Sequence, residues 1–280
     1  KDDRSPVTVA DYAAQAVVCH VLRERLGEFQ MIGEEDADEL RRMVREGESA
    51  IPDAVLAAIQ GVAPEMTLEA ALDAIDLGNG DAAEDGFWTL DPIDGTKGFL
   101  RGQQYAVSLG WIERGEVTVG VLACPNLSRD LGKGFDPPDA SGSLYTAMRG
   151  GGVMASVCKP DGAAGAVVLE PEPQGGVLRA CASVEKAHSS VSDTDRLLEH
   201  ASTSLGVEVA EPARLDSQAK YAVVARGQAG AYLRLPAKKG YVEKIWDHAA
   251  GALVAQEAGA IVSDVHGKPL DFSKGAKLEA

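Results

Sequence analysis

The segment Asp91-Pro92-Ile93-Asp94-Gly95-Thr96 sets two carboxylates three positions apart, with a proline between them and a glycine and a threonine directly behind. That set suits a hard cation beside a phosphate. Mg²⁺ asks for oxygen ligands in near-octahedral geometry, commonly one or two carboxylates completed by substrate phosphate oxygens. Pro92 restricts its neighbours, so the segment is expected to leave the preceding apolar run as a stiff turn. Gly95 lets backbone come close to a ligand. A helix starting at Asp94 would aim its first N–H groups at the anion. Aspartates before a proline-containing turn also occur in plain Asx turns; the glycine and threonine that follow tip the reading toward chemistry.

Three further stretches supply acids at the ends of elements. Asp11 opens the first helix behind Ser5-Pro6-Val7-Thr8, where an acid also compensates the helix dipole. Glu34-Glu35 follows a short strand, and Glu35 reads as a solvated acid. Asp247, within Trp246-Asp247-His248, falls in the first turn of a late helix. In layered α/β architectures, loops at element ends converge on one crevice. Lys220 lies three positions after Ser217, so both fall on one helix face; by itself that lysine reads as solvated surface. Arg234, inside an apolar strand, needs a partner. Lys244 and the Lys238-Lys239 pair read as surface charge, and His188 as a loop histidine.

The elements that must position these residues follow from periodicity and punctuation. Helices are expected over Val9–Gly27, Glu39–Glu46, Pro52–Gly61, Thr67–Asp76, Asp193–Ser204, Ser217–Arg226 and Glu243–Ala258. Strands are expected at Phe29–Ile32, Phe87–Leu90, Ser143–Met148, Val177–Ala182, Ala231–Leu235 and Ile261–Val262, and Gln104–Glu113 pairs with Glu116–Ala123 across Arg114-Gly115. The Pro- and Gly-rich stretch 159–176 marks a boundary between an α+β domain, 1–173, and an α/β domain, 174–280.

Composition narrows the function classes. The chain has 280 residues, 45% hydrophobic and 25% charged, with a net charge of −16. That charge argues against nucleic-acid polymers, which basic surfaces bind, and an anionic substrate would need metal ions or clustered Lys and Arg to admit it. The apolar runs are too short to span a bilayer. Four scattered cysteines without a CxxC pair point to buried thiols in a reducing, intracellular setting rather than a disulfide framework or zinc site. The sequence opens at Lys1 without a targeting segment, which keeps cytoplasm, chloroplast and mitochondrion all open as compartments.

With these blocks in view, the chain resembles the lithium-sensitive, magnesium-dependent phosphomonoesterases of the inositol monophosphatase superfamily. The shared signatures are DPIDGT, the WDHAAG at 246–251 and the GEE at 33–35. Within that superfamily it looks like the 3′(2′),5′-bisphosphate nucleotidases, plant and algal members above all. That likeness runs through SPVTVADYAAQ at 5–15, LDPIDGTKGFLRG at 90–102, VLACPNL at 121–127 and VEKAHSS at 184–190. It continues in DSQAKY at 216–221, YLRLP at 232–236 and EKIWDHAAG at 243–251. The family pattern also has a helix before Lys1 and a strand and helix after the PLDFSKG block, which this sequence does not include.

The resemblance implies a layered α/β/α/β/α sandwich of the sugar-phosphatase type. It implies two or three Mg²⁺ ions: one on Glu34, Asp91 and the carbonyl of Ile93, one on Asp91, Asp94 and Asp247, and a third on Glu34 and waters. Thr96 and Asp11 become the proton-handling pair, and the N–H groups of Gly95 and Thr96 cradle the scissile phosphate. Ser217, Lys220 and Arg234 take the second phosphate, Asp247 borders the substrate, and His188 lies near the base. The implied reaction removes the 3′-phosphate of adenosine 3′,5′-bisphosphate and extends to 3′-phosphoadenylyl sulfate, which ties it to sulfur metabolism. Inositol polyphosphate 1-phosphatase activity and a non-catalytic nucleotide or metal sensor are the alternatives. The implied partner is a small nucleotide, with the protein a monomer or homodimer.

Overall fold

The computed structural model describes residues 7–135, 138–159, 165–170, 176–184, 191–235 and 241–278. Helix α1, Val9–Leu26, begins with a reciprocal cap: the Thr8 hydroxyl accepts from the N–H of Ala10 and Asp11, and the Asp11 carboxylate accepts from Thr8 N–H at 2.8 Å. Its stripe of Ala13, Ala16 and Cys19 is buried. After β1, Met31–Gly33, come α2, Asp38–Glu46, α3, Ala50–Gln60, and α4, Leu68–Asp76. With α1, helices α3 and α4 cover one face of the main sheet, where Met31, Val55, Ile59, Leu72, Ile75 and Leu90 form a closed apolar cluster.

That sheet has seven strands in chain order. They are β1, β2, Phe87–Asp94, β3, Ala106–Glu113, β4, Glu116–Cys124, β5, Ser143–Met148, β6, Gly152–Ser156, and β7, Val167–Val168. The first pair is parallel and the rest antiparallel. β6 is absent from the strands expected from the sequence, since the Gly150-Gly151-Gly152 run that leads into it hides its start. The short helix α5, Thr96–Leu100, leaves β2 at the crevice.

The second half is built on shorter pieces: β8, Val177–Leu178, β9, Ala180–Ala182, α6, Val191–Leu205, β10, Glu208–Val209, β11, Ala213–Arg214, α7, Ala219–Ala225, and β12, Ala231–Tyr232. β9 lies between β11 and β12, all parallel, while β8 pairs with β10. The strand expected over Val177–Ala182 is therefore two strands in two sheets. The helix expected over Glu243–Ala258 divides further, into β13, Glu243–Lys244, a 3₁₀ turn, Ile245–Asp247, and α8, Ala249–Glu257. β13 pairs with β14, Lys277–Leu278. The Trp246 carbonyl accepts a side-chain bond from Gln218 at 2.8 Å, so tertiary structure claims a group that a continuous helix would use. No strand forms at Ile261–Val262, and Ile261 is 96% exposed.

Helix α8 fills the opposite face of the main sheet. Its Ala-Ala-Gly-Ala-Leu-Val-Ala run is buried throughout, and α7 packs on it in turn. The resulting order is helices α1, α3 and α4, the seven-stranded sheet, α8 and α7, then the β11-β9-β12 sheet, with α6 beside β10. The proposed domain division at 173/174 falls outside the described residues, and one apolar cluster draws on both sides of it. Cys19, Cys124 and Cys181 are buried free thiols, and Cys158 is half-buried. Among the described residues, no helix is long and apolar enough to cross a membrane.

The α7–α8 seam depends on a missing side chain. A Cβ at Gly251 would lie 2.3 Å from the Tyr221 ring and 2.9 Å from Gln218 Oε1. Gly251→Ala is expected to cost about 1–3 kcal/mol through overpacking, measured as a lower Tm. An unchanged Tm would mean that the seam opens at no cost.

Candidate active site

Strand β2 carries both aspartates of the DPID segment. Asp91 sits opposite Ser108 and Asp94 opposite Ala106, with the register broken between them. Pro92 has no N–H for the ladder, so the strand bulges and continues instead of turning away as the sequence predicts. Asp91, Ile93 and Asp94 all line one crevice. The helix behind them starts at Thr96, not Asp94, with Gly95 at φ 85° as its cap. A side chain at Gly95 would also come within 2.9 Å of Ser217 Cβ, so glycine is required twice over.

Ser217 is not on a helix face with Lys220. It has a φ of 69°, and α7 begins two residues later. Lys220, expected on the surface, is buried in the first turn of α7. Its ammonium donates to the Leu215 carbonyl at 3.3 Å and stands 5.2 Å from the centre of the Tyr232 ring. Glu35, expected in solvent, is also buried, because the Gln15 side chain from α1 bonds both its N–H and its carbonyl.

Arg234 lies just past β12 and finds the partner that its setting demands. Its Nε and Nη2 grip the Glu243 carboxylate at 2.8 and 2.7 Å, and Nη2 is 3.6 Å from Asp247. Glu243 is also 3.4 Å from His248 Nε2, while His248 Nδ1 meets the Tyr221 hydroxyl at 2.8 Å. Burial opposes ionisation of Glu243, but His248 and Arg234 outweigh it and hold its pKa down at about 2. Burial also pushes His248 below its ordinary value.

The acids across the crevice behave as a set crowded by like charge. Burial, then Glu34, Asp94 and Asp247, push Asp91 well above the ordinary carboxylate range. Burial raises Asp94 too, against the pull of Lys220, the Gln218 N–H, Arg234 and His248. Asp91 Oδ1 is fully buried with no hydrogen-bond partner among the described residues. A buried, orphaned carboxylate oxygen amid three more acids is the donor chemistry that a divalent cation satisfies. Among the described residues, no three acidic, His or Cys side chains are already arranged to hold an ion by themselves. Asp94 instead accepts the Gln218 N–H, and Asp247 faces Arg234.

A stability prediction follows from the sign of the Asp91 shift. Above the ordinary carboxylate pKa, the unfolded chain has released a proton that the folded protein still holds, so stability falls as pH rises toward the raised value. Asp91→Asn removes that penalty. In chelator at about pH 8, the variant is expected to melt above the wild type, and Mg²⁺ is expected to raise the Tm of the wild type alone. Equal melting in chelator would show that Asp91 carries no such strain.

Comparison with known proteins gives the family. The model of the inositol monophosphatase family matches residues 1–280. The chain belongs to the inositol monophosphatase family. Curated relatives include the 3′(2′),5′-bisphosphate nucleotidase of Emericella nidulans, 41% identical over 301 residues that cover 100% of this chain and 83% of that protein. The enzyme of the same name from Oryza sativa is 42% identical over 304 residues, covering 100% and 79%. 3′(2′),5′-bisphosphate nucleotidase 1 of Arabidopsis thaliana is 42% identical over 271 residues, covering 92% and 75%. Among solved structures, a staphylococcal inositol monophosphatase complexed with products matches with a TM-score of 0.59 at 19% identity, covering 99% of this chain and 78% of that one. An inositol monophosphatase/NADP phosphatase complexed with Mg²⁺ and phosphate matches at 0.56 and 20%, covering 97% and 76%. These two likenesses carry the family fold.

Within this family member, one crevice gathers Glu34, Asp91, Ile93, Asp94, Gly95, Thr96, Ser217, Lys220, Arg234 and Asp247. Asp11 is buried at the start of α1 and is not among the lining residues. His188 lies outside the described residues. Sequence reasoning missed Glu243 and Gln218, although both stand inside quoted blocks. It also missed Asp216, which is buried and ion-paired with Arg101. Asp216 too stands in a quoted block, and neither residue type nor spacing singles out Glu243 or Asp216 there. Gln218 carried no signal either.

Proposed function

We propose that this chain is a Mg²⁺-dependent phosphomonoesterase, a 3′(2′),5′-bisphosphate nucleotidase that converts adenosine 3′,5′-bisphosphate to AMP and phosphate. The observation that carries the reading is a single crevice lined both by the acids Glu34, Asp91, Asp94 and Asp247 and by Ser217, Lys220 and Arg234. The curated relatives, all named for this activity, support the same substrate class. Glu34, Asp91 and the Ile93 carbonyl would hold one Mg²⁺, and Asp91, Asp94 and Asp247 a second, with Glu34 and waters available to a third. Bound there, the metal polarises the phosphoryl oxygens, lowers the pKa of water and neutralises charge on the attacking and leaving oxygens.

The protein's own groups do the positioning. Thr96 Oγ1, which donates to the Ile93 carbonyl at 3.2 Å, orients the attacking water. The water oxygen attacks phosphorus, the bond to the ribose 3′-oxygen breaks, and that oxygen takes its proton from solvent water. The Thr96 hydroxyl passes the attacking water's proton on to Asp11, the proposed final acceptor, which does not itself line the crevice. The N–H groups of Gly95 and Thr96 cradle the scissile phosphate. Lys220, Arg234 and Ser217 hold the 5′-phosphate, where the planar guanidinium matches phosphate oxygens. The same reading extends to 3′-phosphoadenylyl sulfate and to inhibition by lithium.

The test compares phosphate release from adenosine 3′,5′-bisphosphate and from inositol 1,4-bisphosphate, each with Mg²⁺ and with chelator. A Mg²⁺-dependent preference for the nucleotide is expected. A clear preference for the inositol compound would reassign the substrate, and tight nucleotide binding without turnover would make the protein a sensor.

A further inference from the structure

Gln218 is buried and bonds to four elements: the end of β2, β3, the 3₁₀ turn at Ile245–Asp247 and α8. Its side-chain oxygen accepts from Ser108 Oγ on β3 and from the Gly251 N–H in α8, both at 3.1 Å. Its side-chain nitrogen donates to the Trp246 carbonyl at 2.8 Å. Its backbone N–H donates to Asp94 Oδ2. Trp246 directly precedes Asp247, and Ser108 is the cross-strand partner of Asp91. One residue therefore touches Asp94 and the immediate neighbours of the two acids that share a proposed ion with it. It sits between Ser217 and Lys220, the two proposed phosphate-binding residues.

We propose that Gln218 is a positioning residue that holds Asp94 and Asp247 in register for the shared divalent cation and ties that register to the phosphate-binding segment beside it. The amide suits this place because it supplies one acceptor and one donor at a point where two donors and one carbonyl converge. A glutamate keeps the acceptor for Ser108 and Gly251 but meets the Trp246 carbonyl with an oxygen. A leucine fills the volume and bonds nothing. Supports of metal ligands, not ligands themselves, commonly change metal affinity 10–100-fold when removed.

This inference rests on the metal reading given above, so the test reads metal binding without substrate. Mg²⁺ is titrated into metal-free wild type, Gln218→Glu, Gln218→Leu and Ser108→Ala, and apparent affinity is taken from the Mg²⁺-dependent shift in Tm. The two Gln218 variants are expected to bind Mg²⁺ about 10-fold or more weakly, with Ser108→Ala between them and the wild type. At saturating Mg²⁺, kcat for the bisphosphate is expected to recover further in Gln218→Glu than in Gln218→Leu. A purely structural role would lower the Tm of the metal-free variants and leave Mg²⁺ affinity within about twofold of wild type, and that result overturns the proposal. If Gln218→Leu does not fold, Gln218→Glu and Ser108→Ala decide by the same criterion. A wild type whose Tm ignores Mg²⁺ removes the metal reading itself, and this inference with it.

Discussion

Asp94→Asn is expected to reduce Mg²⁺-dependent phosphate release by roughly three orders of magnitude or more, beyond the 10²–10³ typical of losing one electrostatic donor. The substitution is nearly isosteric. An asparagine oxygen can still accept the Gln218 N–H that now reaches Asp94, so the loop around Ser217 keeps its anchor. What disappears is one negative charge from a crowded set in which burial already raises the pKa of Asp94. Relief of that crowding predicts a metal-free variant at least as stable as the wild type. The expected signature is therefore lost activity with retained or improved Tm, measured by phosphate release and thermal unfolding on the same preparation. Wild-type turnover would show that Asp94 is not a metal ligand.

Lys220→Met is expected to raise KM for adenosine 3′,5′-bisphosphate about 10- to 100-fold, the equivalent of the ~1–3 kcal/mol lost with a charged hydrogen bond. Methionine retains the stem that packs in the first turn of α7 and removes the ammonium near Tyr232. Lys220 is buried, and its ammonium donates to the Leu215 carbonyl; a phosphate oxygen would be a stronger, charge-assisted acceptor. The control is adenosine 3′-monophosphate, which lacks the second phosphate. Its KM is expected to move little, because the ammonium then has no phosphate to meet. Equal losses on both substrates would place Lys220 at the scissile phosphate instead.

Much of the site was legible because its acids sit in short, punctuated blocks. Asp91, Asp94, Gly95 and Thr96 fall within one six-residue block, and Asp247 follows a Trp. What could not be read is how those blocks meet. Nothing in the pattern shows that Pro92 would bulge β2 and keep it in the sheet, because a missing N–H permits either outcome. Likewise, the 243–258 stretch has continuous helical character. It divides because Gln218 claims the Trp246 carbonyl and β14 pairs with β13, both non-local events. Lys220 reads as surface from its type alone, and only the packing of α7 on α8 reveals its burial. The short strands β8 to β12 have two or three residues each, too few for alternation to declare a register.

Crystals soaked with Mn²⁺ and AMP, with diffraction collected for the anomalous signal of manganese, would show where divalent cations settle. The expected map has a peak between the carboxylates of Asp91, Asp94 and Asp247, with the AMP phosphate against Lys220 and Arg234. A map from an active preparation with no peak near those carboxylates, or with Asp247 out of reach of any bound ion, would contradict the assignment of this crevice as a metal-dependent phosphatase site.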